Sequence, residues 1–268
     1  MKLIARLTAS LVLAFGAASA HADEYTLSVE PNYPPEQASQ IYQPLLDYLR
    51  TATGHTFTLQ VPRNYHALWR DMRAGRGADF VFEEAHFADF RATRHGYVPF
   101  ARVAEPTAYV VLVMPGSAST LRELIGEPLV SMPLPSLGAA ILNEFYPNAV
   151  GQPDVMSVAA SWRDGVEMIF SGEANAAIVP THVAALYPNL EEVTRSRAFP
   201  GTAISASPQV PVEVREAVKA ALLRLHEDPA LFEVISELGA SRFEATSAAE
   251  YRGSERALRG VFGYRESN

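Results

Sequence analysis

Two adjacent carboxylates and a histidine, Glu83-Glu84-Ala85-His86, are the residues whose types and placement most readily do chemistry in this chain. They follow the apolar run Phe80-Val81-Phe82 and precede a helix-like stretch to His95, so they mark a strand end and a helix start. Open α/β sheets place ligands at the carboxyl ends of strands. One acid at such a turn is explained by the preference of helix N-termini for negative charge, worth about 0.3–1 kcal/mol. A pair is explained less easily, and points to a ligand that is cationic or neutral. His182, after Pro180 at another strand-to-helix turn, can add a group from elsewhere in the chain. Tyr33 lies in the rigid turn Pro31-Asn32-Tyr33-Pro34-Pro35 after the first strand; it either faces a cleft or packs on Pro34. A Glu-Glu-x-His cluster is not a specific metal signature, the chain has no cysteine, and no metal or other cofactor is expected. Nor is an enzyme: although His86 with Glu83 can form an acid–base pair, the nucleophile elbow, P-loop and dinucleotide fingerprint are missing.

The elements that must hold these groups alternate between strands and helices, as in α/β proteins with largely parallel sheets. Tyr25–Glu30 alternates as a strand, and Ile41, Leu45, Tyr48 and Leu49 recur at helical spacing before a stop at Gly54. Phe57–Val61 and Phe80–Phe82 are strands, with a helix over Tyr65–Met72 between them. Val98–Val103 and Tyr109–Met114 follow as strands. A new α/β unit then starts after Pro115-Gly116: strands at Leu129–Met132, Val155–Val158 and Ala176–Val179, helices at Leu137–Phe145 and Trp162–Phe170. Val193–Ala198 and Thr202–Ala206 read as extended, and the tail from Val212 is helical. The pattern predicts two α/β lobes, with residues 115–200 as a middle lobe inserted into a first lobe built from residues 23–114 and 201–268. The cleft between two such lobes is a preferred place for a small ligand. Trp162 and Tyr65 are candidate cleft walls, Tyr65 more simply a core residue. Ser136 is the natural cap of the helix that begins at Leu137.

Residues 1–22 read as a cleaved secretory signal. Lys2 and Arg6 precede an apolar run over Leu7–Ala18, and Ala20-His21-Ala22 is a small-residue cleavage site. The run is shorter than the roughly 20 residues a spanning helix needs. Without Lys2 and Arg6, 20 basic residues face 30 acidic ones, a net charge near −10 that argues against nucleic acid as a partner. The expected location is the periplasm, where a chain without cysteine must rely on burial alone.

Several stretches, in order, resemble the phosphonate-binding family of periplasmic solute-binding proteins. They are Tyr42–Leu49 with Val61-Pro62-Arg63-Asn64-Tyr65, Met72-Arg73-Ala74-Gly75 ahead of Asp79–Phe82, Phe170–Ala177, and Leu238–Phe243 ahead of Ala249-Glu250-Tyr251. The resemblance implies a type II periplasmic binding protein fold, a monomer that captures a small ligand between its lobes and passes it to the permease of an ABC importer. A ligand-sensing partner of a membrane receptor, in a signalling role, is the alternative. The family's hydroxyl-rich turn for phosphonate oxygens corresponds here to Pro133-Leu134-Pro135-Ser136-Leu137-Gly138, which keeps one hydroxyl. Trp162 and Pro180 stand where the family has polar residues, and Glu83-Glu84 where it has none of this charge. Simple phosphonates and phosphate are therefore the less expected ligands. The expected ligand-binding set is Tyr33, Glu83, Glu84, His86, Ser136, Trp162 and His182.

Overall fold

A computed structural model describes residues 23–148 and 150–266, so the expected export signal lies outside the described residues. The chain opens with β1 (Glu24–Val29), then α1 (Pro35–Thr53), whose start is set by Pro35 and whose end by Gly54 at φ 77°. Proline is pre-set for a first helical position, and glycine tolerates the left-handed cap. Next come β2 (Thr56–Gln60), α2 (Tyr65–Arg73), capped by the Asn64 side chain on the Ala67 amide, and β3 (Phe80–Glu83). Helix α3 (Ala85–His95) and strand β4 (Val98–Val103) complete this half.

The middle of the chain supplies β5 (Tyr109–Val113), β6 (Pro128–Val130), α4 (Leu137–Phe145), β7 (Asp154–Met156) and α5 (Trp162–Phe170). Then follow β8 (Ala176–Pro180), the short α6 (Thr181–Ala184) and β9 (Glu191–Arg195). The chain returns with β10 (Ala203–Ala206), α7 (Val212–Arg224), α8 (Phe232–Glu237), β11 (Phe243–Ala245) and α9 (Ala248–Tyr251).

These strands form two sheets. The first runs β11-β4-β10-β3-β1-β2 and draws on both ends of the described chain; the second runs β7-β6-β8-β5-β9 and draws only on the middle. In the first, β1 is parallel to β2 and β3, whereas β10 enters antiparallel to both β3 and β4. The sequence reading assigns residues 109–114 to the first lobe, and here the structure differs. Tyr109–Val113 pairs with β8 and β9 inside the second sheet. All five of its residues are buried, so the strand is apolar on both faces and its pattern names no partner.

The chain crosses between lobes twice, and the crossings bond to each other. Thr107 and Phe199 exchange both backbone hydrogen bonds, at 3.0 and 2.8 Å. Gly201 belongs to this ribbon: a Cβ there would lie 2.1 Å from the Val103 carbonyl oxygen, so no other residue permits the approach. One apolar cluster joins Tyr65, Trp69 and Phe87 of the first lobe to Tyr109, Leu137 and Trp162 of the second, so the lobes are packed against each other. A second cluster, with Leu27, Leu45, Phe82 and Leu222, fills the first lobe alone. Among the described residues, no helix is long and apolar enough to cross a membrane.

Candidate functional site

A cavity of ≈ 260 Å³ lies between the lobes, lined from the first by Glu30, Tyr33, Tyr42, Phe82, Glu84 and Glu237 and from the second by Trp162, Thr181 and His182. Its floor is set by two strand ends. Glu30 follows β1, and Glu84 follows β3 as the residue that opens α3. Glutamate is a poor helix cap because its carboxyl sits too far from its own backbone, and Glu84 makes no such bond. Its carboxylate crosses to the second lobe instead, accepting from the Tyr109 hydroxyl at 2.7 Å, beside the Leu137 amide at the start of α4. The Glu84 amide donates to Glu30 Oε1 at 2.6 Å, and the Tyr65 hydroxyl donates to Glu30 Oε2 at 2.9 Å.

The electrostatics follow from burial. Glu30 and Glu84 are 4% and 7% exposed. Desolvation raises Glu84 to about 7, the bond from Tyr109 and the nearby Leu137 amide opposing it. Glu30 is pushed well above the ordinary carboxylate range, by desolvation first and then by the charge of Glu84. Like charges this close retain a proton between them at neutral pH. Glu84 Oε2 is buried without a hydrogen-bond partner. No lysine or arginine is among the described residues that line the cavity, whereas Glu30, Glu84, Glu105 and Glu237 all do.

The cavity's rim is a contact between lobes. Arg163 of α5 donates to Glu237 Oε2 of α8 at 2.5 Å, and the Tyr33 hydroxyl donates to Glu237 Oε1 at 3.2 Å. His182 lies over Gly239, where a Cβ would come within 2.6 Å of the imidazole. Partial burial and the positive charge of Arg163 push the His182 pKa down.

Of the expected set, Tyr33, Glu84, Trp162 and His182 line this cavity, and Glu83, His86 and Ser136 do not. Glu83 points away from Glu84 because successive strand residues face opposite sides. It is 1% exposed and held by Arg91, whose Nε–H reaches both carboxylate oxygens at 2.9 and 2.8 Å. His86 is fully buried, with its Nε2 2.9 Å from the Pro135 carbonyl. Because a carbonyl only accepts, that nitrogen carries the proton; burial lowers the His86 pKa to about 3, so the ring stays neutral. Ser136 is fully buried, donating to the Met132 carbonyl at 3.1 Å and accepting from the Ala139 amide at 3.3 Å, as a helix cap does. Trp162 packs edge-on against Tyr109 and closely against Gly138.

Glu30, Tyr42, Glu105, Glu237 and Gly239 are cavity residues that the sequence reading does not single out. Glu30 was within reach of it, since it ends the first strand as Glu84 ends the third. Glu237 and Gly239 close a helix far along the chain and carry no local signal.

Two lobes on separate sheets, double crossings and a polar cavity at the strand ends define a type II periplasmic binding protein. Residues 27–251 match the family described as periplasmic phosphonate substrate-binding proteins of ABC transporters, and the chain belongs to that family. Among solved structures it is similar to PhnD1 of Prochlorococcus marinus in complex with methylphosphonate, at 14% identity and a TM-score of 0.73 over 88% of this chain and 97% of that one. A binding protein component of an ABC phosphonate transporter from Pseudomonas aeruginosa matches at 14% identity and 0.69, over 89% and 85%. A Xanthomonas citri protein bound to ATP matches at 14% and 0.66, over 88% and 97%. No curated protein sequence is significantly similar.

Proposed function

We propose that this protein is exported by residues 1–22 and serves as the solute receptor of an ABC importer, taking a small cationic or neutral organic ligand rather than a simple phosphonate. The observation that carries the reading is a cavity lined by four glutamates and by no lysine or arginine among the described residues, with Oε2 of Glu84 buried and unpartnered beside it. A doubly charged phosphonate in that space meets like charge at short range, which a buried site screens poorly. An ammonium group instead gains a charge-assisted bond to Glu84 and aromatic faces on Tyr33, Tyr42 and Trp162. The ≈ 260 Å³ of space is small beside the pockets that hold drug-sized molecules, which suits a metabolite of few atoms. Closure over the ligand would bury it and complete the surface a permease reads.

Native mass spectrometry of protein purified from its host reads the mass of any retained ligand. Calorimetry then compares choline, ethanolamine and arginine with phosphate and methylphosphonate. Heat from at least one cationic probe, weakened by about 1–3 kcal/mol in Glu84→Gln, is the expected result. Tight binding of methylphosphonate by the native protein, with none of the cations, overturns the reading.

A further inference from the structure

The first lobe places a carboxylate on the helix start of the second, and this contact has a consequence for which ligands can enter. We propose that Glu84 is the specificity-determining residue of the cleft: its carboxylate is a resident anion seated on the α4 start, which holds that position against free anions. The proposal rests on the cleft being the binding site.

Three observations support it. The nine-residue helix α4 begins beside the Glu84 carboxylate, where the positive end of its dipole favours an anion. Within that first turn the Ala139 and Ala140 amides are taken up locally by Ser136, whereas the Leu137 amide lies beside the Glu84 carboxylate, from the other lobe. The Tyr109 hydroxyl donates to the same carboxylate at 2.7 Å. Two convergent donors beside a helix start make an anion site, and here the anion is tethered to the chain.

The surroundings leave no space for a second occupant. A Cβ on Gly138 would come within 2.7 Å of Trp162 and 2.9 Å of Tyr109, so the helix start is wedged between those rings. Glu84 itself is buried, and its remaining oxygen Oε2 has no partner. That oxygen is an unused acceptor beside the cavity that Glu84 lines. The same residue thus excludes one charge class and offers a bond to the other. It also forgoes capping its own helix, which Ser, Thr, Asp or Asn at that position would do.

The test vacates the seat. Glu84→Ala removes the carboxylate, and Glu84→Ser removes it while supplying a good cap for α3, which guards against a variant that simply fails to fold. Thermal melting and calorimetry at pH 8 are run with acetate, methylphosphonate and potassium chloride at matched ionic strength. Both variants are expected to be stabilised by acetate and methylphosphonate beyond the chloride control, and to bind methylphosphonate at least about tenfold more tightly than the native protein. Glu84→Gln, which fills the same space without charge, is expected to gain nothing. Folded Ala and Ser variants that respond to these anions no more than the native protein does overturn the proposal. Methylphosphonate binding by the native protein would count against the proposed ligand class, whereas the Glu84 assignment stands or falls on the difference between variant and native.

Discussion

Replacing Glu83 by Gln should damage the fold and leave the cleft intact, which separates two adjacent glutamates that look equivalent in sequence. Arg91 and Glu83 side chains are both 2% exposed, and the pair is joined at 2.8 Å. Neutralising one member leaves the other as a buried charge without compensation, a loss of about 3–5 kcal/mol in comparable pairs. The guanidinium has little else to fall back on: its Nη1 has no hydrogen-bond partner, and its other neighbour is the Tyr97 ring, 5.1 Å from the guanidinium carbon. For a chain of this size each kcal/mol shifts the melting temperature by roughly 2–4 °C, so a fall of about 10 °C is expected by calorimetry or circular dichroism. The double variant Glu83→Leu with Arg91→Met should recover much of this, since an apolar pair of similar volume needs no compensation. Binding of whichever probe the native protein accepts should be unchanged in Glu83→Gln, because Glu83 does not line the cavity. A Glu83→Gln protein that melts like the native one but has lost its ligand would refute the reasoning.

Gly239→Ala should weaken closure and cost about 1–3 kcal/mol, since its φ is +70° and the new Cβ would lie 2.6 Å from His182; if His182→Ala relieves none of this in a double-mutant cycle, the contact is not the cause. The pH profile gives another check. Burial raises Glu84 from 4.5 to about 7, so its contribution to stability is full below pH 4.5 and disappears as pH rises through 7. His86, lowered from 6.5 to about 3, contributes fully above pH 6.5 and less on acidification, so the two oppose each other between pH 4.5 and 6.5. Glu84→Gln removes one side of that balance, and its stability relative to native should fall by up to about 1.4 kcal/mol per pH unit of acidification in urea titrations; parallel curves would count against a raised Glu84.

How far the site could be read from sequence depends on how local each signal is. Phe82, Glu83 and Glu84 show the limit well. Their position at a strand end was legible, and strand alternation already implies that Phe82 and Glu84 share a side while Glu83 faces the other. Both Phe82 and Glu84 line the cavity, and Glu83 is turned to Arg91, eight residues on. His86 is harder, because a histidine at a helix start looks the same whether it meets a ligand or the Pro135 carbonyl, which comes from 49 residues further on.

The sequence by itself determined the alternation of strands and helices, the stop at Gly54 and the cap at Ser136. These depend on periodicity and on short-range backbone chemistry, which neighbouring residues carry. Only the tertiary structure decided which sheet takes β5, which carboxylate faces the cleft, and that Arg163 meets Glu237 across 74 residues. A strand buried on both faces has no polar side to reveal its partners, and a carboxylate's role depends on whether a donor from the opposite lobe arrives beside it. Glu84 has Tyr109 and Leu137 as neighbours because the lobes close, and no local pattern around residue 84 encodes them.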